Sequence, residues 1–398
     1  MTISIRPATS ADLEAIKTLD AASFGETWAA EDFADQFEVL DVESFLLACE
    51  DDRVVGTTAD YPLTMTVPGG VVDVPGVTWV GVDVTHRRRG VLRALMHRQL
   101  TDFRSAGKPA AILTASESGI YGRYGYGIAS HVRKIEIARR RVELREPGDA
   151  ANVRRVTKDE ARKRMPEIHD RWCAQISGAL HRTDAWWDFL MKDRESMRSG
   201  MSELFYLLHD DGYVAYRIKS DWNDGDSQNK CWIADYAVVT PQAHRDLWQV
   251  LLGLDLVSSI SGYRVPVDDP VTHIVTESRQ VKTTHVGDGV WVRPLDVAAM
   301  LSARTYALDV DVVIGVRDEL FGDGVYALRG GPDGATCTAT DAAPQVTFDV
   351  AALGSVYLGG QRMAPLVFVG GIDGDPSVIR LLDRAFLSDR APQHALAF

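Results

Sequence analysis

The fold of this chain is decided by the stretch Trp79-Val80-Gly81-Val82-Asp83-Val84-Thr85-His86-Arg87-Arg88-Arg89-Gly90-Val91-Leu92-Arg93. Valine at every second position predicts a strand over residues 80–84, because strand side chains alternate between two faces. Apolar residues then recur every three to four positions, as in a helix with one buried face: Val91, Leu92, Leu95, Met96, Leu100 and Phe103. A turn between Thr85 and Gly90 therefore joins a strand directly to a helix.

This turn combines three consecutive arginines with a glycine. The first N–H groups of a helix lack intrahelical partners and carry partial positive charge, so an anion is stabilised there. Gly90 has no Cβ and lets a phosphate approach the backbone, while the arginines add charge-assisted donors. Taken alone, the motif is equally compatible with a solvated basic turn at the start of a helix.

Composition is that of a globular protein with several domains. The 398 residues are 45% apolar and 25% charged. The net charge of −13 opposes nucleic-acid binding. We expect a cytoplasmic protein, because no stretch approaches the roughly 20 apolar residues of a membrane span and no signal peptide is evident. We expect neither disulfides nor a metal site, because the cysteines are far apart: Cys49, Cys173, Cys231 and Cys337.

The first 145 residues are predicted to form a mixed α/β domain that ends at a polar linker over 145–149. Its predicted elements are, in order, a strand at 3–5, a helix capped by Ser10, a hairpin spanning 45–57, a hairpin around 68–70, a strand at 110–113 and a closing strand at 132–138.

The segment 150–286 repeats this pattern in weakened form. The segment that corresponds to the strand and basic turn of the first domain reads Ala237-Val238-Val239-Thr240-Pro241-Gln242-Ala243-His244-Arg245-Asp246. It contains no glycine and a single arginine. Asp246 is expected to add negative charge where phosphates would lie. We infer a second copy that keeps the fold without the anion site, with chance similarity of short segments as the alternative. From Trp291 the pattern changes to a third, α+β domain with an apolar tail over 391–398.

Two motifs together indicate a family. One is Val80-Gly81-Val82 followed by the basic turn, and the other is Ser116-Glu117-Ser118-Gly119-Ile120-Tyr121-Gly122-Arg123-Tyr124-Gly125-Tyr126-Gly127. With the terminal Phe398, the chain resembles the Gcn5-related N-acetyltransferase (GNAT) superfamily, and more narrowly the enhanced intracellular survival (Eis) family. The resemblance implies an α/β fold with a catalytic GNAT domain at 1–145, a degenerate GNAT-like domain at 150–286 and a sterol-carrier-protein-like α+β domain at 290–398.

The resemblance also implies an N-acetyltransferase with acetyl-CoA as cosubstrate. The residues implied to bind it are Val80, Gly81, Val82, Arg88, Arg89, Gly90, Val91, Leu92, Arg93, Ser116 and Glu117. Leu92 stands where the wider superfamily has glycine or alanine, so close approach of the pyrophosphate depends mainly on Gly90.

Acetyl transfer needs a polarised thioester carbonyl, a proton for the departing thiolate and a base for the amine. Backbone N–H groups at Val80–Val82 are suited to polarising the thioester carbonyl. The resemblance implies Tyr121 as general acid, and an ordinary tyrosine, with a pKa of about 10, is protonated at neutral pH. The sequence alone is also compatible with Tyr121, Tyr124 and Tyr126 as packing residues in a glycine-rich turn.

The resemblance assigns the general base to the terminal carboxylate of Phe398. An ordinary α-carboxyl pKa of about 3.3–3.7 is low for a base, so burial or a water relay is required. The alternative is that the Phe398 ring only anchors the tail. His86 is expected to contact a phosphate or to lie at the surface, rather than to act as base.

The acceptor is less defined by the sequence. Phe24, Trp28 and Trp79 are candidates for an acceptor pocket, although such aromatic residues also suit a core. Family members acetylate aminoglycosides, other polycationic amines or lysine side chains, and assemble as homohexamers. Ala397 replaces a residue that can be acidic in the family, which weakens the transfer of aminoglycoside preference. The alternative function is a non-catalytic acyl-CoA or lipid-binding protein; nucleotide hydrolysis is disfavoured because no P-loop is present.

Overall fold

The computed structural model describes residues 3–396 and 398, and the chain divides into two compact units. The first unit comprises residues 3–130, 288–392, 396 and 398, and the second comprises 131–287 and 393–395. The domain division predicted from the sequence stays a prediction, since the first unit joins residues from both ends of the chain.

The N-terminal part of the first unit supplies most of its larger sheet. Its strands are β1 (Ile3–Pro7), β2 (Leu46–Glu50), β3 (Arg53–Val67), β4 (Gly70–Val82), β5 (Ala110–Thr114) and β6 (Gly127–Ile128). Its helices are α1 (Leu13–Phe24), α2 (Ala30–Gln36), α3 (Val91–Ser105) and α4 (Ser118–Tyr121).

The second unit has its own sheet and helices. Its strands are β7 (His131–Ala138), β8 (Arg154–Val156), β9 (Phe205–His209), β10 (Gly212–Lys219), β11 (Trp222–Asn223), β12 (Asp226–Ser227), β13 (Asn229–Val238), β14 (Val257–Pro266) and β15 (Val281–Asp288). Its helices are α5 (Lys158–Cys173), α6 (Asp184–Leu190), α7 (Pro241–Leu252) and α8 (Val271–Ile274).

The C-terminal part of the chain completes the first unit. Its strands are β16 (Val290–Pro294), β17 (Val310–Arg317), β18 (Gly324–Gly331), β19 (Gly334–Ala339), β20 (Val346–Asp349) and β21 (Ile372–Gly374). Its helices are α9 (Val297–Ser302), α10 (Val350–Val356), α11 (Met363–Phe368) and α12 (Pro376–Ala385).

The larger sheet of the first unit has the strand order β1-β2-β3-β4-β5-β16-β6. Both predicted hairpins are confirmed: β2 pairs antiparallel with β3, and β3 with β4. β4 and β5 run parallel, but their pairing covers only Gly76 with Ile112 and Val77 with Leu113. Because β4 continues to Val82, the two strands form a fork beyond Val77, which we call the first fork.

Local features of this unit refine three predictions. The cap at the N-terminal helical segment is Thr9 rather than Ser10, since Thr9 and Asp12 form a capping box. β4 ends at Val82, and Val84 is 61% exposed because the chain has already entered the turn. The predicted helix is confirmed as α3, whose buried side includes five of the six predicted residues: Val91, Leu95, Met96, Leu100 and Phe103.

The sheet of the second unit has the order β15-β7-β14-β13-β10-β9-β8. β7 pairs with β14 in this sheet, so residues 132–138, predicted to close the first domain, belong to the second unit. Thr157 caps α5 and Thr240 caps α7, each hydroxyl accepting a hydrogen bond from a backbone N–H of the first helical turn. Asp246 does not occupy an anion site: it is fully buried and accepts hydrogen bonds from the Asp149 N–H and the Asn152 amide.

The smaller sheet of the first unit has the order β19-β18-β17-β20-β21 and lies in its α+β portion. β16, predicted as the start of this domain, instead pairs with β5 and β6 in the larger sheet. The cysteines are free and buried, as expected for packing residues. Within residues 3–396 and 398, no helix is long and apolar enough to cross a membrane.

The second unit is expected to lose stability in mild acid. Burial, with nearby Arg182 and Arg264 respectively, lowers the pKa of His169 and of His394 to about 3. Unfolding restores a pKa near 6.5, so the unfolded chain binds more protons between about pH 6.5 and 3. The free energy of unfolding therefore falls as the pH drops below 6.5, by at most about 1.4 kcal/mol per pH unit for each histidine. Denaturant unfolding at pH 7, 6 and 5 measures this dependence. If the free energy of unfolding of a His169→Gln/His394→Gln variant falls with pH as steeply as that of the unchanged protein, the effect does not come from these two histidines.

Candidate active site

A cavity of about 780 Å³ lies beside the first fork. The end of β4, the basic turn with the start of α3, and the loop and short helices after β5 form most of its wall, with the end of α1. Its lining includes every residue that the resemblance implied for acetyl-CoA, together with the implied acid: Val80, Gly81, Val82, Arg88, Arg89, Gly90, Val91, Leu92, Arg93, Ser116, Glu117 and Tyr121. The tertiary structure thus brings together residues from three separate segments of the chain.

The basic turn is shaped to expose backbone at the cavity. Gly90 caps α3 with a φ of 84°, and a Cβ built there would meet no atom within 4 Å. Left-handed backbone suits glycine, and the open space on this side lets an anion reach the free N–H groups of the helix. Arg88, also left-handed with a φ of 62°, and its arginine neighbours are exposed.

Replacing Gly90 by alanine is expected to raise the KM for acetyl-CoA about tenfold with little change in kcat. A Cβ in left-handed backbone costs about 1–2 kcal/mol and obstructs the helix start. Gly107, just after α3, is a matched control, because it has a φ of 73° with equally open surroundings and does not line the cavity. Steady-state kinetics on both alanine variants measures the effect. Equal KM values for acetyl-CoA in the two variants would show that Gly90 only permits the left-handed backbone and does not open the helix start to the ligand.

Glu50, the last residue of β2, holds the basic turn through hydrogen bonds to two of its side chains. The buried His86 ring bonds to Glu50 at 2.9 Å through Nε2 and to the Thr85 hydroxyl at 2.8 Å through Nδ1. Arg89 donates to Glu50 at 2.6 Å, and these partners lower the pKa of that carboxyl group. His86 is therefore neither at the surface nor directed at a phosphate by its ring nitrogens, because both are engaged within the turn. Arg87 and Arg88 stay exposed for anion contacts.

Tyr121 ends α4 and is 5% exposed at the wall of the cavity. Burial raises the pKa of its phenol to about 12, and the neighbouring Glu117 and Tyr124 add to this rise. The ring of Tyr126 lies 6.1 Å from that of Tyr121 in an edge-to-face arrangement, and its pKa rises further because it is completely buried. Tyr121 therefore combines cavity access with a phenol that stays protonated at neutral pH.

Phe398 lies at the same pair of strands. Thr114, the last residue of β5, donates its hydroxyl hydrogen to the Phe398 backbone oxygen at 2.9 Å. The Phe398 ring packs against Gly76 on β4, where a Cβ would come within 2.9 Å of the ring. Gly76 lies in the stretch where β4 pairs with β5, and Thr114 follows the last paired residue, Leu113, so the ring and the carboxyl group of Phe398 both lie at the base of the first fork. Ala397 lies outside the described residues.

The predicted acceptor residues do not form one group. Trp28 stacks on Trp79 with ring centroids 5.4 Å apart, and Phe33 packs edge-on against both. Phe24 instead lines the cavity beside the first fork and is 46% exposed. Trp79 has a left-handed φ of 51°, which coincides with the irregular pairing of β3 and β4.

Two carboxyl groups of the first unit with raised pKa values, Asp60 and Asp20, were not singled out from the sequence. Burial raises the pKa of Asp60 on β3 to about 6, although Lys108 opposes the rise. Burial also raises the pKa of Asp20, which accepts a 2.7 Å hydrogen bond from the Trp28 indole. The available signal for Asp60 was that it is the one acidic residue in the fifteen-residue β3.

Comparison with known proteins agrees with this geometry. Residues 4–129 and 178–294 each match a family model described as an acetyltransferase (GNAT) domain, and 297–395 match a sterol carrier protein domain. The chain is 36% identical to N-acetyltransferase Eis of Mycobacterium tuberculosis over 415 aligned residues, covering 100% of both chains. It belongs to the Eis family of N-acetyltransferases.

A solved structure and a further relative agree. The crystal structure of Eis1 from Mycobacterium abscessus matches with a TM-score of 0.87 and 32% identity, covering 100% of both chains. An uncharacterized N-acetyltransferase of Streptomyces avermitilis is 36% identical over 352 residues, 86% of each chain. The predicted fold is confirmed: two GNAT domains precede a sterol-carrier-like domain. The chain is an acetyltransferase, and GNAT acetyltransferases use acetyl-CoA.

Proposed function

We propose that this Eis-family enzyme transfers acetyl from acetyl-CoA to primary amines of polycationic acceptors such as aminoglycosides. The observation that carries the proposal is the cavity beside the first fork, which joins strand residues that do not pair with β5, an open helix start beside three arginines and a protonated tyrosine. We further propose a cytoplasmic homohexamer.

The residues of the cavity fit the cosubstrate by chemistry. The helix start at Gly90, with Arg88 and Arg93, suits the charge of a pyrophosphate. Val80–Val82 lie on the part of β4 that no longer pairs with β5, so their backbone can bind a ligand on that side. Acetyl-CoA supplies the reactive thioester. Backbone N–H groups of β4 are proposed to stabilise the charge that develops on its carbonyl oxygen.

Two proton transfers balance the reaction. The neutral amine forms a bond to the acetyl carbon, and the bond from that carbon to sulfur breaks. Tyr121 is proposed to donate its phenolic proton to the departing thiolate. The Phe398 carboxylate, held by Thr114, is proposed to accept the proton lost by the amine. The products are the acetylated amine and the free thiol.

The charge of the chain supports a cationic acceptor. A net charge of −13 attracts polycations over distance and raises their local concentration. Trp28 stacks on Trp79, a buried residue of β4, and both are proposed to contact the acceptor, with Phe24 at the cavity. Aromatic faces attract ammonium groups, which suits such an acceptor.

Thiol release from acetyl-CoA with a panel of aminoglycosides, polyamines and lysine peptides tests the proposal. We expect turnover with at least one polyamine-like acceptor and proportional acetylation by mass spectrometry. Acetyl-CoA binding measured by calorimetry serves as the control. Binding without turnover on any acceptor would instead favour the alternative, a non-catalytic acyl-CoA or lipid-binding protein with a sterol-carrier-like domain.

A further inference from the structure

The second unit contains a fork like the first one. β13 and β14 run parallel and pair from Asn229 with Val257 to Ile233 with Gly262. Beyond this point, residues of both strands line a small cavity together with three residues of the C-terminal tail, Gln393, His394 and Ala395. The first fork borders the proposed acetyl-CoA cavity. The fork of β13 and β14, which we call the second fork, is instead occupied by the C-terminal tail of the chain.

The tail is bonded at this fork by backbone and side-chain contacts. The Gln393 N–H donates to the Ser177 carbonyl at 2.9 Å, and the Gln393 amide donates to the Arg264 carbonyl at 3.1 Å. The His394 side chain is 2% exposed. The shortest bond comes from Arg182, whose Nη2 donates to the Ala395 carbonyl at 2.6 Å.

Arg182 is itself held rigidly. Its Nη1 donates to Asp235 at 2.6 Å and to the Tyr213 hydroxyl at 3.3 Å, and its Nη2 donates to Asp235 at 3.2 Å. The guanidinium carbon lies 4.7 Å from the centre of the Trp187 ring, and the side chain is 2% exposed. A buried, bidentate ion pair fixes the guanidinium plane, so the second N–H of Nη2 points at one place only. That place is the Ala395 carbonyl.

We infer that Arg182 is a positioning residue, which fixes the tail three residues before the Phe398 carboxylate. The inference rests on the proposed function, in which this carboxylate is the base. Leu396 and Ala397 alone separate the anchored Ala395 carbonyl from Phe398, so a tail released at Ala395 presents the carboxylate less often. The degenerate domain thus contributes to catalysis by holding the tail, although it has lost the anion-binding turn.

The test compares Arg182→Met with Arg217→Met. Arg217 is a matched control, since it is also a nearly buried arginine of the second unit, but its partners are Asp193 and Ser202. Two readouts are taken on the folded full-length protein: the rate at which carboxypeptidase releases Phe398, and kcat with the KM for acetyl-CoA. For Arg182→Met we expect about tenfold faster release and about tenfold lower kcat, with an unchanged KM, because one charge-assisted hydrogen bond is lost. Arg217→Met should change neither.

A second variant guards against unfolding. Removing Arg182 alone leaves Asp235 without its buried cation, which is destabilising. Arg182→Met/Asp235→Leu removes both charges and should show the same faster release and lower kcat. Arg182→Lys keeps a charged donor, so its rate of Phe398 release and its kcat should lie between those of Arg182→Met and those of the unchanged enzyme.

The outcomes separate the inference from the proposed function. Unchanged release of Phe398 in folded Arg182 variants overturns the anchor, whatever the activity. Faster release with unchanged kcat overturns the positioning role, because the tail then moves without consequence. In that case an enzyme with an amidated Phe398 shows whether the base itself was misassigned: if it stays active the proposed base fails, and if it is inactive only the role of Arg182 fails.

Discussion

Tyr121→Phe is expected to lower kcat by roughly two to four orders of magnitude, with little change in the KM for acetyl-CoA. The phenylalanine keeps the ring that packs in the buried wall of the cavity and removes only the proton donor. A positioned general acid contributes about 10²–10⁴-fold, so its loss should appear almost entirely in kcat. Thiol release under saturating acceptor and acetyl-CoA measures the effect.

Tyr126→Phe is the matched control for this prediction. Its hydroxyl is buried and has no hydrogen-bond partner within the described part of the chain, so removing it should leave kcat near the wild-type value. The pH profile adds a second check: with a pKa of about 12, Tyr121 should stay protonated and cause no loss of kcat up to about pH 10. Equal activities of the two variants would remove Tyr121 from the acid role.

Amidation of the Phe398 carboxyl group is expected to lower kcat at least a hundredfold. The amide keeps the ring that packs against Gly76 and an oxygen that accepts from Thr114, but it cannot take a proton from the amine. Loss of a general base costs about 10²–10⁴-fold. A protein made by ligation with a carboxamide terminus, compared with the same ligated protein bearing a free carboxylate, measures the effect without deleting a packed side chain.

A complementary variant separates the ring from the carboxylate. Phe398→Leu keeps the terminal carboxylate and shortens the packed side chain, so it should lose less activity than the amide. The reverse order would assign Phe398 an anchoring role only. The base would then be sought among other carboxyl groups of the first unit, and Asp60→Asn is the next variant, because a pKa of about 6 suits a base at neutral pH.

Features that depend on neighbouring residues in the chain were predictable from the sequence. The periodicity of residues 79–93 determined the end of β4, the basic turn and the buried face of α3 within two residues. The hairpins of β2 with β3 and of β3 with β4 followed from similar local patterns. Local alternation and capping act through adjacent residues, so the sequence displays them directly.

The tertiary structure alone decided the pairings between distant segments. Valine-rich residues 290–294 carry no local sign that they enter the larger sheet between β5 and β6, and residues 131–138 carry none that they join β14. Strand partners are chosen by burial and hydrogen bonding across more than a hundred residues of chain. The engagement of His86 with Glu50 and of Arg182 with Ala395 is non-local in the same way. The sequence by itself therefore determined the family and the position of the basic turn, because these depend on neighbouring residues, whereas long-range packing decided which side chains meet at that turn.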